Sequence, residues 1–217
     1  MTRKPRLLML SVLCAATLAA GLSACAPLVL GGAAMGTLVV IDRRTSGAQL
    51  EDEGIEFRSS NRLREALGDS AHVNITSYNR QVLLTGEVPN AQSRQLAEQI
   101  TGKVENVRAI VNELAVMGSA SLVQRSSDTL TTGKVKASLV DAKDLYASAF
   151  KVVTERGTVY LMGRVTQREA NRATEITRTV GGVQKVVRIL EIISEDELRR
   201  LLPSQAQPAK PAVPATQ

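Results

Sequence analysis

Tryptophan is absent from this sequence, histidine occurs once and cysteine twice, and each shortage removes a class of function. The aromatic residues are only Phe57, Phe150, Tyr78, Tyr146 and Tyr160. That is too sparse a set to stack successive bases, so nucleic acid is not an expected partner. His72, beside Val73 at the start of an apolar alternation, reads as structural or exposed rather than as a general base. With Cys14 and Cys25 alone, no His/Cys/carboxylate spacing suggests a metal site or an activated nucleophile. Gly31-Gly32-x-x-x-Gly36 lacks the Lys-Ser/Thr that completes a phosphate loop. The acidic run Glu51-Asp52-Glu53 reads as a solvated or helix-capping cluster at a positive dipole end. No catalytic residue, metal or cofactor is therefore expected.

What is present begins at the amino terminus. Arg3, Lys4 and Arg6 precede an apolar run from Leu7 to Leu22, followed by Leu22-Ser23-Ala24-Cys25. A charged segment, an apolar core and small residues make a secretory signal, expected over residues 1–24. The run is short for a membrane span, the competing reading. The Leu-Ser-Ala-Cys pattern resembles the lipobox of bacterial lipoproteins, which implies acylation of Cys25, with palmitate among the chains, and anchoring on the periplasmic side of the outer membrane. Ala26 after the cysteine agrees with outer-membrane sorting in that class. With Cys14 removed and Cys25 acylated, no thiol is left to pair, so the exported body has to be held by its own core.

Charge is divided unevenly. Residues 45–118 hold 7 basic and 10 acidic groups, a net of −3, whereas 119–202 hold 14 and 10, a net of +4. A basic half in an exported protein favours anionic phospholipid as partner. Residues 25–44 read as a glycine-containing stem, and 196–217, with Pro203, Pro208, Pro211 and Pro214, as a Pro/Ala/Gln-rich tail.

Between these ends the sequence repeats itself. Val82-Leu83-Leu84-Thr85-Gly86-Glu87-Val88 returns as Val159-Tyr160-Leu161-Met162-Gly163-Arg164-Val165, a shared V-x-L-x-G-x-V. In both copies one glycine, Gly86 or Gly163, interrupts a strand-like alternation, where it marks a bulge or a close backbone approach. The match extends through Ile100, Val104, Val107, Val111 and Leu114 against Ile176, Val180, Val183, Val187 and Leu190. Periodicity places helices at about 55–67 and 131–142, strand pairs at 72–77 with 81–88 and 149–154 with 158–165, second helices from Asn90 and Gln167, and last strands at 107–116 and 183–193. The expected order is α-β-β-α-β twice: an α+β protein with domains at 45–118 and 127–195 and a linker at 119–126.

Two surfaces follow from the residues. In the first helix of the second repeat Val135 and Leu139 face the core, while Lys136, Val140 and Lys143 fall at i, i+4 and i+7 on another stripe. An apolar residue between lysines suits a helix lying on an anionic membrane, with Leu130 and Lys134 adding contact and charge. A solvated face with an incidental valine is the plainer alternative. On the strands, Leu83, Ile110 and Leu114 in repeat one, and Tyr160, Met162, Val186 and Leu190 in repeat two, occupy the parity opposite the expected helix-covered side. Such faces have to be covered, either by each other across a domain interface or by a second copy.

The repeat order, the glycine after the second strand, the run from Thr158 to Ala170 and the segment Leu130-Thr131-Thr132-Gly133-Lys134-Val135-Lys136 resemble the BON domain, a module of bacterial periplasmic and outer-membrane proteins. The segment Asp42-x-Arg44-Thr45-x-Gly47-x-Gln49 fits its lipoprotein members. The resemblance implies two tandem BON domains, each a three-stranded mixed sheet covered by two helices. It also implies binding of anionic phospholipid such as phosphatidylglycerol or cardiolipin through the second domain, support of outer-membrane integrity with links to division and stress, and no catalysis. In the family the position of Leu130 tends to carry a large aromatic residue. An adaptor for outer-membrane assembly or division factors, docking through the acidic first repeat, is the competing function.

Overall fold

The computed structural model describes residues 42–201. The expected signal segment, Cys25, the stem up to residue 41 and the tail from residue 202 lie outside the described residues.

Each repeat builds one layer of helices on one sheet. In domain 1, helix α1 (Ser46–Leu67) precedes the hairpin β1 (His72–Tyr78) and β2 (Gln81–Val88), then α2 (Ala91–Gly102) and the short strands β3 (Ala109–Asn112) and β4 (Ala115–Val116). In domain 2, α3 (Leu122–Asp141) precedes β5 (Phe150–Glu155), β6 (Thr158–Val165), α4 (Gln167–Thr179) and β7 (Lys185–Ile192), and α5 (Glu195–Leu201) closes the described chain. In both sheets the central strand pairs antiparallel with the strand before it and parallel with the one after the crossover helix. The architecture is α+β with two mixed sheets, the first having its last strand split in two.

Helices α1 and α3 start about nine residues earlier than periodicity indicates, because their first turns are held by polar bonds rather than by an apolar stripe. Thr45 Oγ1 accepts from Ala48 N at 3.1 Å and Ser121 Oγ from Gln124 N at 3.2 Å, both N-caps. The segment 119–126, expected as a linker, is helical from Leu122 onward. Leu198 of α5 is buried, so folded structure runs past the expected domain end at 195.

The hairpin loops Asn79-Arg80 and Arg156-Gly157 have positive φ at both residues, the two-residue geometry that matches strand twist. A buried aspartate secures each. Asp52 of α1 accepts from Asn79 N and Arg80 N at 2.7 Å each, and Asp128 of α3 from Arg156 N and Gly157 N at 2.8 and 2.9 Å. Asp52 is thus neither solvated nor a dipole cap: it is 2 % exposed and ties helix to hairpin. Burial pulls its carboxyl upward, but the Ser77 hydroxyl, the two loop N–H groups and the Arg44 guanidinium outweigh that and leave it below the usual carboxylate range.

The two glycines sit where strands approach closely. A Cβ on Gly86 would lie 2.1 Å from the His72 carbonyl oxygen, and one on Gly163 2.3 Å from that of Ala149. Any side chain there would push the first strand of its hairpin away.

Three apolar clusters result. One core holds Ile55, Leu63, Val82, Leu84, Val88 and Leu114, the other Val135, Leu139, Val152, Val159, Leu161 and Val165. The third takes Tyr78 and Leu83 from domain 1 and Tyr160, Met162 and Ile189 from domain 2, with Val111, Val153 and Val187 packed against it. It joins the two sheets on the sides their helices leave bare. Leu83, Tyr160 and Met162 lie in this seam. Ile110, Leu114, Val186 and Leu190 do not: they pack into their own domain cores. The reason is register. Leu83 pairs with Val111, and Tyr160 and Met162 with Val187 and Ile189, so in the last strands it is the odd-numbered residues that share the seam face.

Polar bonds rim the seam. Asn79 Nδ2 donates to Glu191 at 2.7 Å, Lys151 Nζ to Glu56 at 2.8 Å and to the Ser77 carbonyl at 3.1 Å, and Asn74 Nδ2 to Glu155 at 3.2 Å. His72 stands at this rim with Nδ1 3.3 Å from the buried Glu87 carboxylate.

Candidate membrane-binding face

Helix α3 spans roughly 30 Å at 1.5 Å per residue. Its inward side is fixed by Asp128, Thr131, Val135 and Leu139, all buried. At about 100° per residue, Leu122, Ser126, Leu130, Gly133, Ala137 and Val140 then fall within roughly 80° of one another on the outward side. All six are exposed, Leu122 at 79 %, Leu130 at 66 % and Val140 at 58 %. The ridge carries small or apolar residues and no charge along its whole length.

Lysines flank it. Lys134 and Lys136 lie about 40° beyond the two edges of the ridge, and Lys143 follows just past the helix end. All three are exposed, and none makes an ion pair among the described residues. The only exposed carboxylate within α3 is Asp141, at its last position, because Asp128 is committed to the hairpin loop. Tyr146, five residues after the helix, is 44 % exposed and adds an aromatic ring at the same end. Leu122 and Val123, exposed at 79 % and 80 %, were hidden from sequence reasoning by the assumption that 119–126 is a linker. A helical wheel begun at Leu122 exposes the pattern.

The arrangement matches what an interfacial helix requires: apolar side chains free to enter the acyl boundary and ammonium groups able to reach phosphates on either side. No helix among the described residues is long and apolar enough to cross a membrane.

Helix α1, the counterpart in domain 1, differs. Leu50 and Phe57 are exposed at 70 % and 68 %, but Glu53 stands between them on the same face. No lysine occurs in that helix, and its amino-terminal half is acidic. The two repeats share a backbone plan and diverge in the chemistry of their outer helices.

Comparison with known proteins agrees with this architecture. Residues 51–118 and 127–193 each match the BON domain. The outer membrane lipoprotein DolP of Haemophilus influenzae is 36% identical over 174 residues, which cover 79% of this chain and 90% of that protein. A 21 kDa hemolysin of Actinobacillus pleuropneumoniae is 32% identical over 155 residues, 70% of this chain and 80% of that protein. The osmotically-inducible protein Y of Escherichia coli is 31% identical over 121 residues, 54% of this chain and 60% of that protein. Two BON matches on two like-folded modules, together with a relative aligned over nearly its whole length, mean that this chain belongs to the BON-domain family in its two-domain, DolP-like form.

Proposed function

We propose that this chain is an outer-membrane lipoprotein, anchored through Cys25 on the periplasmic side, that binds anionic phospholipid through the outer face of α3 and so supports envelope integrity. One observation carries the reading: an uncharged ridge from Leu122 to Val140, exposed along its length, with lysines on both flanks that make no ion pair among the described residues. Each lysine near an anionic surface contributes on the order of 1 kcal/mol, and partial burial of Leu130 and Val140 roughly 1–2 kcal/mol each. The total of about 5–7 kcal/mol corresponds to a dissociation constant on the order of 10–200 µM. That is weak for a free protein and sufficient for one whose acyl anchor already holds it at the surface. The Haemophilus relative is itself an outer membrane lipoprotein by name. We read the chain as a binding module, with no catalytic role for His72, whose neighbour Glu87 is sealed beneath it.

The test is vesicle flotation of the full mature chain made unacylated by Cys25→Ser. Binding to vesicles containing phosphatidylglycerol or cardiolipin, weakening with salt, and no binding to zwitterionic vesicles is the expected result. Equal binding to both, or to neither, removes the proposal.

A second reading is favoured by the Leu50–Phe57 face of α1. Two large exposed apolar side chains with Glu53 between them suit a protein partner better than an anionic bilayer, so an adaptor role toward outer-membrane assembly or division factors is the alternative. Cross-linking from position 57 in intact cells distinguishes them: a protein adduct there with unaltered vesicle binding supports the adaptor.

A further inference from the structure

The chain enters its folded body through three residues, Asp42-Arg43-Arg44, whose two arginines point into different domains. Arg43 belongs to domain 2. Its side chain is 0 % exposed, and its guanidinium meets the Glu169 carboxylate in a two-pronged pair at 2.8 and 2.7 Å. Its Nη1 also donates to the Arg164 carbonyl at 2.9 Å, and Arg164 returns a bond to the Arg43 carbonyl at 3.3 Å. The guanidinium carbon lies 5.8 Å from the centre of the Tyr146 ring.

Arg44 belongs to domain 1. It donates to Asp52 at 2.7 Å, the same aspartate that secures the first hairpin, and to Asp42 at 2.8 Å, and it stacks 4.4 Å over Tyr78 in the seam. Thr45 then caps α1.

The receiving socket is particular to domain 2. Glu169 is 1 % exposed and also closes the capping box of α4, accepting from Thr166 N at 2.9 Å. The first repeat has Ser93 at the matching position after its Asn90 cap. A buried carboxylate without a partner is strongly unfavourable, and the guanidinium that satisfies this one comes from outside the domain. A bidentate arginine fits such a planar acceptor where a lysine would not.

We propose that Asp42-Arg43-Arg44 is a positioning strap: it fastens the chain arriving from Cys25 to both domains at once, fixes their mutual orientation, and sets the point, against Tyr146 shortly after α3, from which the chain toward Cys25 departs. Tyr146, whose ring faces Arg43, follows the last residue of α3 by five positions and Lys143 by three. Sixteen residues lie between Cys25 and Asp42, and the seventeen steps reach at most about 60 Å when fully extended. The strap sets where that reach begins. Its membrane consequence rests on the lipid-binding reading of α3; its hold on the two domains does not.

The experiment is a spin-label distance measurement on the full mature chain carrying Cys25→Ser, with labels introduced by Glu65→Cys in α1 and Glu175→Cys in α4. Arg43→Ala combined with Glu169→Gln removes both partners without leaving a buried lone charge. The expected result is a distance distribution broadened about twofold or more, as domains joined by a weakened interface behave, with unchanged helix content by circular dichroism. Restoring the pair in reversed sense, Arg43→Glu with Glu169→Arg, should narrow it partly, which a mere packing defect would not allow. If the neutral pair of substitutions unfolds domain 2, Arg44→Ala, which leaves the Glu169 socket intact, should broaden the distribution by itself. A distribution as narrow as that of the parent in the folded variants overturns the strap. A polarity-sensitive fluorophore introduced by Leu130→Cys in the acylated chain on anionic vesicles separates the two ideas: a parent whose probe stays in water ends the lipid reading alone, and a strap variant whose probe enters the bilayer as fully as the parent's despite broadened distances ends the strap's membrane role alone.

Discussion

Replacing Lys136 and Val140 together by glutamate should abolish binding of the unacylated chain to anionic vesicles. Lys136→Glu removes one attraction worth about 1 kcal/mol and introduces a repulsion of similar size. Val140→Glu removes roughly 1 kcal/mol of apolar insertion, since the side chain is already partly covered in the free protein, and adds a second repulsion. The total of about 4 kcal/mol is a loss on the order of a thousandfold, which carries a dissociation constant of tens of micromolar beyond any practical lipid concentration. Both side chains are exposed and contribute little to the core, so the folded state should be changed by no more than about 0.5 kcal/mol. Flotation with vesicles containing phosphatidylglycerol measures the loss, and thermal unfolding confirms the fold. The paired alanine substitutions should weaken binding by only about thirtyfold, half the free energy. Flotation of the double glutamate variant equal to the parent's would refute the assignment of this face, whatever the parent binds.

Three further outcomes follow from the structure. Met162→Asp places a charge in the seam where Met162 is fully buried, so the domains should part, with a larger radius of gyration in small-angle scattering; an unchanged scattering profile with intact folding contradicts the seam. Asp52→Ala leaves two loop N–H groups and the Ser77 hydroxyl without their acceptor, strips Arg44 of one of its two carboxylates, and should lower unfolding free energy by about 3–5 kcal/mol, read from urea denaturation, whereas Glu53→Ala on the exposed side should change it by less than about 0.5 kcal/mol. Acid should weaken the assembly. Burial raises the Glu169 carboxyl, but Arg43 and Thr166 N–H leave it below the usual range, and Asn79, Arg164 and Arg108 do the same for Glu191. Groups with depressed folded values stabilise above the unfolded value near 4 and lose that contribution as pH falls through the folded one. Unfolding midpoints should therefore drop below about pH 4, more steeply than for Glu169→Gln; parallel curves would contradict the pairing.

The duplication was legible because V-x-L-x-G-x-V pairs a period of two with a glycine that backbone contact demands at Gly86 and Gly163. The outer face of α3 was legible in part, since Lys136, Val140 and Lys143 keep helical spacing. What escaped depends on partners distant in sequence. The first turns of α1 and α3 are set by Thr45 and Ser121 caps and by Asp52 and Asp128 reaching the hairpins, none of which leaves an apolar period. An aspartate recurring at 52 and 128, seventy-six residues apart, was the available signal. The seam parity in β3 and β7 follows from the register against β2 and β6. The repeat alignment, which sets Val111 against Val187 correctly, is silent on which face either strand shows. Arg43 and Glu169 are 126 positions apart, and nothing local marks them as a pair.

Because each sheet hides one side beneath its helices and the other against its neighbour, the BON repeats here are not interchangeable beads. A fragment ending near Gly118 would expose Tyr78 and Leu83 to water, and one beginning near Ser121 would expose Tyr160, Met162 and Ile189. Halves prepared separately should clump or seek each other out in trans, so the smallest well-behaved piece of this molecule carries both modules together with the three residues that lead into them.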